Sequence, residues 1–267
     1  AVIHRELVEV LNNSEIAEGI YQTIFQSNSI SSISHPGQFI NILPSSNWDQ
    51  VMRRPMSIAS QGNNEISIIY KSVGEGTRIM TDWKKGAIVD IIGPLGNYWT
   101  QYEDTFPILI GGGVGIAPIL NLHHCLLEKN IDHMLIMGAQ NRKEHFLKHE
   151  PEKQIYMSTD DASLGIAGNV VDALRSIFPK GVHPKDCKIY SCGPPMMMES
   201  VRSYSMQNDL ECDLALETIM ACGFGICQGC TVERKTETNG QHSYRNQFAL
   251  ACMDGPIFNA KGIVSCM

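Results

Sequence analysis

The sequence predicts a multidomain β and α/β protein: an antiparallel β-barrel, a parallel α/β domain and a small cysteine-rich domain. Short β-type runs between turn residues continue to about residue 102, and a strand, glycine-turn and helix pattern continues to about residue 210. Four closely spaced cysteines follow. Because 267 residues are long for one domain, we expect domains at residues 1–102, 103–210 and 211–267.

Composition and charge exclude several classes of protein. With 43% hydrophobic and 18% charged residues, the chain is an ordinary globular protein. A net charge of −7 with scattered lysines and arginines argues against a nucleic-acid partner. The longest apolar run, Ile108–Leu120, is broken by four glycines and a proline and is too short to span a bilayer. No basic-then-apolar signal segment is found near the N-terminus, so we expect a cytoplasmic protein without a membrane partner.

The first hundred residues have the pattern of a barrel. The β-type runs are separated by turn residues at 35–37, 62–64 and 93–96, which include glycine, proline and asparagine. Short strands at this spacing are typical of antiparallel barrels. The expected strands are Gly19–Phe25, Gln38–Leu43, Met56–Ala59, Glu65–Lys71 and Ile88–Ile92.

From about Phe106 the pattern changes to alternating strands and helices, which predicts a Rossmann-like parallel α/β domain. The expected strands are Ile108–Ile110, His133–Met137, Gln154–Ser158 and Lys188–Ser191. The expected helices are Ile119–Glu128, Val170–Phe178 and Pro194–Ser203.

Four of the nine cysteines have the spacing of a metal site. Cys222, Cys227, Cys230 and Cys252 match the C-x4-C-x2-C…C pattern of plant-type 2Fe-2S centres. Glycines between them permit the tight loop that such ligands need. The alternatives are a zinc site and buried free thiols that happen to lie close in sequence, but zinc usually uses two C-x2-C-like pairs and this segment has one. The other five cysteines are expected mostly to pack in the fold.

A glycine turn after the first parallel strand predicts a nicotinamide nucleotide site. The backbone N–H groups of Gly112, Gly113 and Gly115 can face a pyrophosphate at the start of a helix. Simple strand-to-helix packing is the alternative, because Pro118 replaces the third small residue of the usual motif. The second strand ends without an acidic ribose ligand, so NAD and NADP both stay open.

A second junction of strand and helix, at residues 190–196, belongs to the same expected sheet. Ligands of such sheets lie over the carboxyl ends of the strands. Cys192 and Gly193 are therefore expected to border the nicotinamide. The alternative for Cys192 is a small apolar residue that fills the core.

Two barrel segments, 53–58 and 69–77, carry groups that suit a flavin dinucleotide. A guanidinium pairs with a diphosphate, a glycine turn offers backbone donors, and apolar side chains form a wall for the ring. Two edge strands with solvated charges are the alternative. The candidate residues are Arg54, Pro55, Met56, Ser57, Ile69, Tyr70, Lys71, Gly76 and Thr77.

The order of these motifs resembles that of ferredoxin reductase-type flavoproteins. The motifs are Arg54–Ser57, Gly74–Thr77, Gly93–Gly96, Gly111–Pro118 and Cys192–Pro194. Segments 158–168, 216–230 and 251–258 are similar to one branch of that family, the electron-transfer subunits of NAD-dependent dihydroorotate dehydrogenase. The resemblance covers essentially the whole chain. Two departures are Met56, where the wider family often has tyrosine, and a polar insertion, Thr236–Arg245, expected to be an exposed hairpin.

The resemblance implies FAD at the barrel residues, a 2Fe-2S cluster at the four cysteines and NAD(H) as substrate. It also implies a partner, the FMN-containing dihydroorotate dehydrogenase catalytic subunit, in a heterotetramer of two plus two, and a role in pyrimidine (UMP) biosynthesis. Because the cofactors carry the chemistry, no catalytic side chain is expected.

Three alternative functions stay open beside this one. They are a subunit of an NADH-dependent ferredoxin:NADP oxidoreductase, a subunit of a sulfide dehydrogenase and a redox-sensing flavoprotein module. Four cysteine ligands, rather than a mixed set of Asp and Cys, favour the dihydroorotate branch.

Overall fold

The structure is a computed structural model that describes residues 2–46, 51–179, 181–235 and 244–266, with the backbone alone for residue 245. Most of the polar insertion expected to be a hairpin, residues 236–243, lies outside the described residues. In the described part of the chain, no helix is both long enough and apolar enough to cross a membrane.

Six antiparallel strands close into a barrel in the order β1-β2-β5-β4-β3-β6. They are β1 (His4–Ala17), β2 (Ile20–Gln26), β3 (Phe39–Leu43), β4 (Arg54–Gly62), β5 (Glu65–Lys71) and β6 (Ile88–Leu95). Two short helices, α1 (Ser29–Ile33) and α2 (Glu75–Thr81), lie in its connections. The expected antiparallel barrel is confirmed.

Strand β1 closes the barrel and is absent from the strands expected from sequence. It pairs with β2 on one side and with β6 on the other. Val8 and Val10 point into the barrel core, whereas Arg5 and Leu7 are exposed. The exposed Leu7 and the polar second half of β1 hide the alternation that identifies the other strands.

Six parallel strands form the second sheet in the order β10-β9-β8-β7-β11-β12. They are β7 (Phe106–Gly112), β8 (Met134–Ala139), β9 (Ile155–Thr159), β10 (Ile166–Ala167), β11 (Cys187–Cys192) and β12 (Glu211–Ala215). The helices of this domain are α3 (Ile116–Glu128), α4 (Val170–Ile177) and α5 (Pro195–Gln207). The expected Rossmann-like domain is confirmed.

The C-terminal segment is joined to this sheet. It contains a two-stranded sheet of β13 (Thr231–Glu233) and β14 (Phe248–Leu250), a single helical turn, α6 (Tyr244–Gln247), and β15 (Ile257–Asn259). Strand β15 pairs antiparallel with β12 as a seventh strand of the parallel sheet. Since both strands lie within residues 211–267, the expected third domain shares a sheet with the second.

A buried ion pair links β11 to β12. Lys188 Nζ lies 2.7 Å from Asp213 Oδ2, and the two side chains are only 4% and 12% exposed. Lys188 Nζ also donates to Gln101 Oε1 at 2.8 Å. An ion that loses its counter-ion in such a place stays buried without an opposite charge.

Asp213→Ala is therefore expected to lower the free energy of unfolding by about 3–5 kcal/mol, because the lysine is left unpaired inside the protein. Urea unfolding followed by circular dichroism measures the change. Glu103→Ala removes the exposed partner of Lys129, 2.9 Å away, and serves as the control; it is expected to cost at most about 1 kcal/mol. Equal losses in the two variants would contradict the role given to the buried pair.

Candidate functional site

A cavity of about 440 Å³ lies where the barrel, the glycine turn and the segment before the cysteines meet. Seven of the nine flavin candidates line it. They are Pro55, Met56 and Ser57 of β4, Ile69, Tyr70 and Lys71 of β5, and Thr77 of α2. The structure thus brings residues from three barrel elements to one place.

The other two flavin candidates, Arg54 and Gly76, lie side by side. A Cβ atom on Gly76 would lie 2.8 Å from Arg54 Nε, so glycine lets the guanidinium approach the backbone next to Thr77. The same guanidinium donates to the Met52 carbonyl at 2.6 Å. The Thr77 hydroxyl accepts from the Gly74 N–H at 3.0 Å and holds the turn that precedes Gly76.

Tyr70 and Lys71 have structural partners as well as a place in the cavity wall. The Tyr70 hydroxyl donates to Asn13 Oδ1 at 3.3 Å, and its ring stacks on that of Tyr21. Burial raises the pKa of Tyr70 to about 12. Lys71 Nζ lies 2.8 Å from Glu144 Oε1, which connects the barrel to the loop after β8.

The rest of the cavity wall was not expected from the sequence. Besides Phe39 of β3 and Val73 just before α2, it consists of Val114 from the glycine turn and of Leu216, Glu217, Thr218, Met220 and Pro256 from the C-terminal part of the chain. None of these positions was expected to contact a flavin, because only the folded chain brings them to the barrel.

Two polar groups in this wall suit a bound ligand. The Thr218 hydroxyl is buried and has no hydrogen-bond partner among the described residues. Glu217 is an exposed residue of the wall and makes no ion pair within the part of the chain that is described, and partial desolvation raises the pKa of its carboxyl group. Apolar walls with a few unpaired polar groups fit an aromatic ligand that also forms hydrogen bonds, as a flavin ring does.

The four candidate metal ligands lie in two pairs. The Sγ atoms of Cys222 and Cys227 are 3.3 Å apart, and those of Cys230 and Cys252 are 3.2 Å apart. Among the described residues, no group of three or more His, Cys, Asp or Glu side chains surrounds a single ion position. Zinc takes four ligands around one ion, whereas a 2Fe-2S cluster takes four cysteines over two irons. Two pairs of sulfurs therefore favour the 2Fe-2S cluster.

The loop between the first cysteines favours the thiolate form of a ligand. Burial raises the pKa of Cys222, but N–H donors from Cys227, Phe224 and Ile226 outweigh it and lower the pKa to about 6. The Cys227 N–H is one of these donors, with its nitrogen 3.4 Å from Cys222 Sγ. Gly223, with φ of +82°, takes a backbone conformation that other residues rarely adopt.

The candidate nucleotide residues meet at the carboxyl ends of β7 and β11. A Cβ atom on Gly115 would lie 2.5 Å from the nitrogen and Cα of Gly193, so the two loops are in direct backbone contact. A Cβ atom on Gly112 would lie 2.4 Å from the sulfur of Met197 in α5. Gly113 has a φ of +54° and no atom within 4 Å of that position, so this glycine borders open space.

Cys192 is a packed core residue. It is 2% exposed, and burial raises the pKa of its thiol well above the usual range. This agrees with a small apolar residue in the core. A contact of Cys192 with the nicotinamide stays a prediction.

Comparison with known proteins places the chain among its relatives. A family model described as the iron-sulfur cluster binding domain of dihydroorotate dehydrogenase B matches residues 217–264. A second model, the oxidoreductase NAD-binding domain, matches residues 109–203. The electron transfer subunit of dihydroorotate dehydrogenase B (NAD(+)) from Fusobacterium nucleatum is 32% identical over 95% of this chain and 96% of that protein. The chain belongs to the family of dihydroorotate dehydrogenase B electron transfer subunits.

A second member of the dihydroorotate dehydrogenase B family, from Listeria monocytogenes, is 34% identical over 95% of this chain and 96% of its own length. The expectations of an oxidoreductase subunit with an iron–sulfur domain and an NAD-binding domain are confirmed. As an electron transfer subunit, a member of this family acts with a catalytic partner.

Solved structures have the same architecture. The structure of an NADH-dependent reduced ferredoxin-NADP oxidoreductase is 26% identical and covers 97% of this chain and 90% of its own, with a TM-score of 0.82. The ferredoxin reductase of carbazole 1,9a-dioxygenase, at 17% identity, covers 79% of this chain and 67% of its own, with a TM-score of 0.67. The second likeness shows the ferredoxin reductase-type fold alone.

Proposed function

We propose that this chain carries electrons from an FMN-containing dihydroorotate dehydrogenase catalytic subunit to NAD⁺, through a 2Fe-2S cluster and FAD, in pyrimidine biosynthesis. One observation carries the proposal: residues from all three parts of the chain line one cavity. Met220 belongs to the cavity wall, and Cys222 follows it after a single residue. The flavin and the first cluster ligand would thus be held by one short segment.

The barrel residues bind and orient the FAD. The Arg54 guanidinium suits the diphosphate, because two planar N–H donors match phosphate oxygens. Met56 and Ile69 form an apolar wall for the ring, and Ser57 offers a hydroxyl beside it. The bound flavin supplies the hydride and single-electron chemistry. The side chains then have to orient the reactants and exclude water, which needs no catalytic acid or base.

Gly112, Gly113 and Gly115 are proposed to bind the NAD pyrophosphate, with Gly193 and Cys192 beside the nicotinamide. The open side of Gly113 supports this assignment, because a phosphate can approach the backbone there. The next residue, Val114, lines the flavin cavity. A nucleotide on this turn would therefore lie next to the flavin.

The proposed partner is the catalytic subunit, in a heterotetramer of two plus two. Large apolar side chains are exposed near the cluster cysteines, with Ile219 91%, Ile226 76% and Met253 55% exposed. Large exposed apolar side chains that form one patch are typical of protein contacts. Cys227, itself exposed, lies next to Ile226 and would bring the cluster close to such a contact. A cytoplasmic location stays part of the proposal.

Co-purification tests this function. The chain is expressed anaerobically with the host's dihydroorotate-oxidising flavoprotein, and dihydroorotate-dependent reduction of NAD⁺ is measured, with Cys222→Ser as the control. We expect activity only with both subunits, and its loss in the variant. FAD and a cluster that NADH reduces, without any coupling to dihydroorotate, would show that the electron partner is a different one.

A second candidate is a subunit of an NADH-dependent ferredoxin-NADP oxidoreductase. The likeness over 97% of the chain at a TM-score of 0.82 favours it. The same purified protein, assayed with reduced ferredoxin and NADP⁺ in place of dihydroorotate and NAD⁺, separates the two functions.

A further inference from the structure

Asn41 of β3 connects the barrel to the first cluster cysteine. Its Nδ2 donates to the carbonyl oxygens of Ala221, at 3.3 Å, and Cys222, at 3.0 Å. The side chain is completely buried. A Cβ atom on Gly223 would lie 2.9 Å from Asn41 Nδ2, so the loop needs glycine there to reach this contact.

The two acceptors determine the orientation of the Asn41 amide. Turning it round would place Oδ1 against two carbonyl oxygens, which cannot donate. In the orientation found, Oδ1 is buried and has no partner among the described residues. A buried acceptor without a partner costs stability, so stability alone does not favour an asparagine here.

Donation to these two carbonyls acts on a single residue. The Ala221 carbonyl belongs to the peptide plane before the Cα of Cys222, and the Cys222 carbonyl belongs to the plane after it. Because each peptide is planar, holding both planes fixes φ and ψ of Cys222 and the direction of its side chain. The two hydrogen bonds also polarise the peptides next to the ligand.

We propose that Asn41 is a positioning residue for the iron–sulfur cluster, which fixes Cys222 from the barrel and raises the reduction potential of the cluster. Groups that orient a metal ligand from behind tune the potential of the metal, and the carbonyls held by Asn41 belong to the peptides on either side of this ligand. The same strand contributes Phe39 to the wall of the flavin cavity. Strand β3 therefore positions both redox groups. The inference rests on the proposed cluster at the four cysteines.

Asn97 provides a matched control. Its Nδ2 donates to the carbonyls of Asp254, at 3.0 Å, and Ile257, at 2.8 Å, and its Oδ1 accepts from the Ile257 N–H at 3.0 Å. It also links the barrel to the cluster segment, but its side chain has partners for both groups and the peptides it holds do not flank a cysteine. Asn97→Leu removes a comparable link without touching a ligand.

The test is a redox titration of the anaerobically purified complex, followed by electron paramagnetic resonance. Asn41→Leu is expected to lower the equilibrium constant for one-electron reduction of the cluster about tenfold, which corresponds to a reduction potential lower by ~59 mV. It is also expected to change the g-values of the reduced cluster. Asn41→Asp is expected to lower the potential as well, because a protonated carboxyl group keeps at most one of the two hydrogen bonds and an ionised one keeps neither. Asn97→Leu is expected to keep the wild-type potential and spectrum.

Iron and acid-labile sulfide are measured in every variant. Asn41→Leu and Asn41→Asp proteins that contain iron but keep the wild-type potential and spectrum would overturn the inference. Equal shifts in Asn41→Leu and Asn97→Leu would also overturn it, since they indicate general loosening. If Asn41→Leu fails to fold, the isosteric Asn41→Asp decides. Wild-type protein without iron and sulfide would refute the proposed cluster itself, which is a different result.

Discussion

Cys230→Ser is expected to abolish the iron–sulfur cluster and with it electron exchange with the catalytic subunit. Cys230 is 2% exposed and lies 3.2 Å from Cys252, sulfur to sulfur. Serine offers a harder ligand that iron–sulfur clusters bind poorly. Iron should fall from about two atoms per chain to nearly none. The rate of dihydroorotate-dependent NAD⁺ reduction should fall at least about a hundredfold. Loss of a residue that only hydrogen-bonds to a metal ligand usually has a smaller effect.

Cys187→Ser is the matched control for this prediction. Cys187 of β11 is as deeply buried, at 1%, but is not one of the four ligands. Its variant is expected to keep its iron and its activity. In Cys230→Ser, NADH should still reduce the flavin, because that step does not use the cluster. A Cys230→Ser protein with a full cluster would show that the ligand set is wrong.

Gly115→Ala is expected to weaken use of the nicotinamide nucleotide strongly. The new Cβ would lie 2.5 Å from backbone atoms of Gly193, and backbone cannot rotate away as a side chain can. The loops after β7 and β11 then have to separate, at a cost of about 1–3 kcal/mol. Stopped-flow measurement of flavin reduction by NADH is expected to show a second-order rate constant at least about tenfold lower than in the wild type. A tenfold change is equivalent to about 1.4 kcal/mol.

Gly262→Ala controls for the loss of a glycine. The atom nearest to a Cβ added at Gly262 is the Asn259 carbonyl oxygen, at 3.4 Å. Gly262 lies outside the proposed nucleotide loops. It is expected to keep wild-type NADH kinetics. The FAD content of both variants is measured, so that loss of the flavin is not taken for loss of nucleotide binding. Normal NADH kinetics in Gly115→Ala would exclude the proposed role of this loop contact.

The parts of the fold with a strong local signal could be predicted from the sequence. The four cysteines lie within residues 222–252, and their spacing alone predicted a common metal site of the 2Fe-2S type. Strands β2 to β6 alternate between core and surface or are bounded by glycine and proline, and all five were expected. Strand β1 was missed because its two core valines stand among charged and amide side chains.

The parts that depend on distant contacts could not be predicted. Asn41 and Cys222 are 181 positions apart, and nothing near Asn41 indicates that its amide meets the cluster loop. Strand β15 has three residues and no periodicity that distinguishes it from a loop. Thr218 and Glu217 line the cavity proposed for the flavin only because β12 directs the chain back to the barrel. Such contacts are decided by topology rather than by local propensity.

The pairing of β15 with β12 also protects the protein from self-association. Without β15, residues 213–215 of β12 would present free N–H and C=O groups at a sheet edge, and such edges are templates for strands of other chains. Cys252 lies five residues before β15, so a cluster bound at Cys252 would hold the chain that covers this edge. Oxidative loss of the cluster would therefore loosen this cover, and damage to the electron carrier would be coupled to aggregation of the chain.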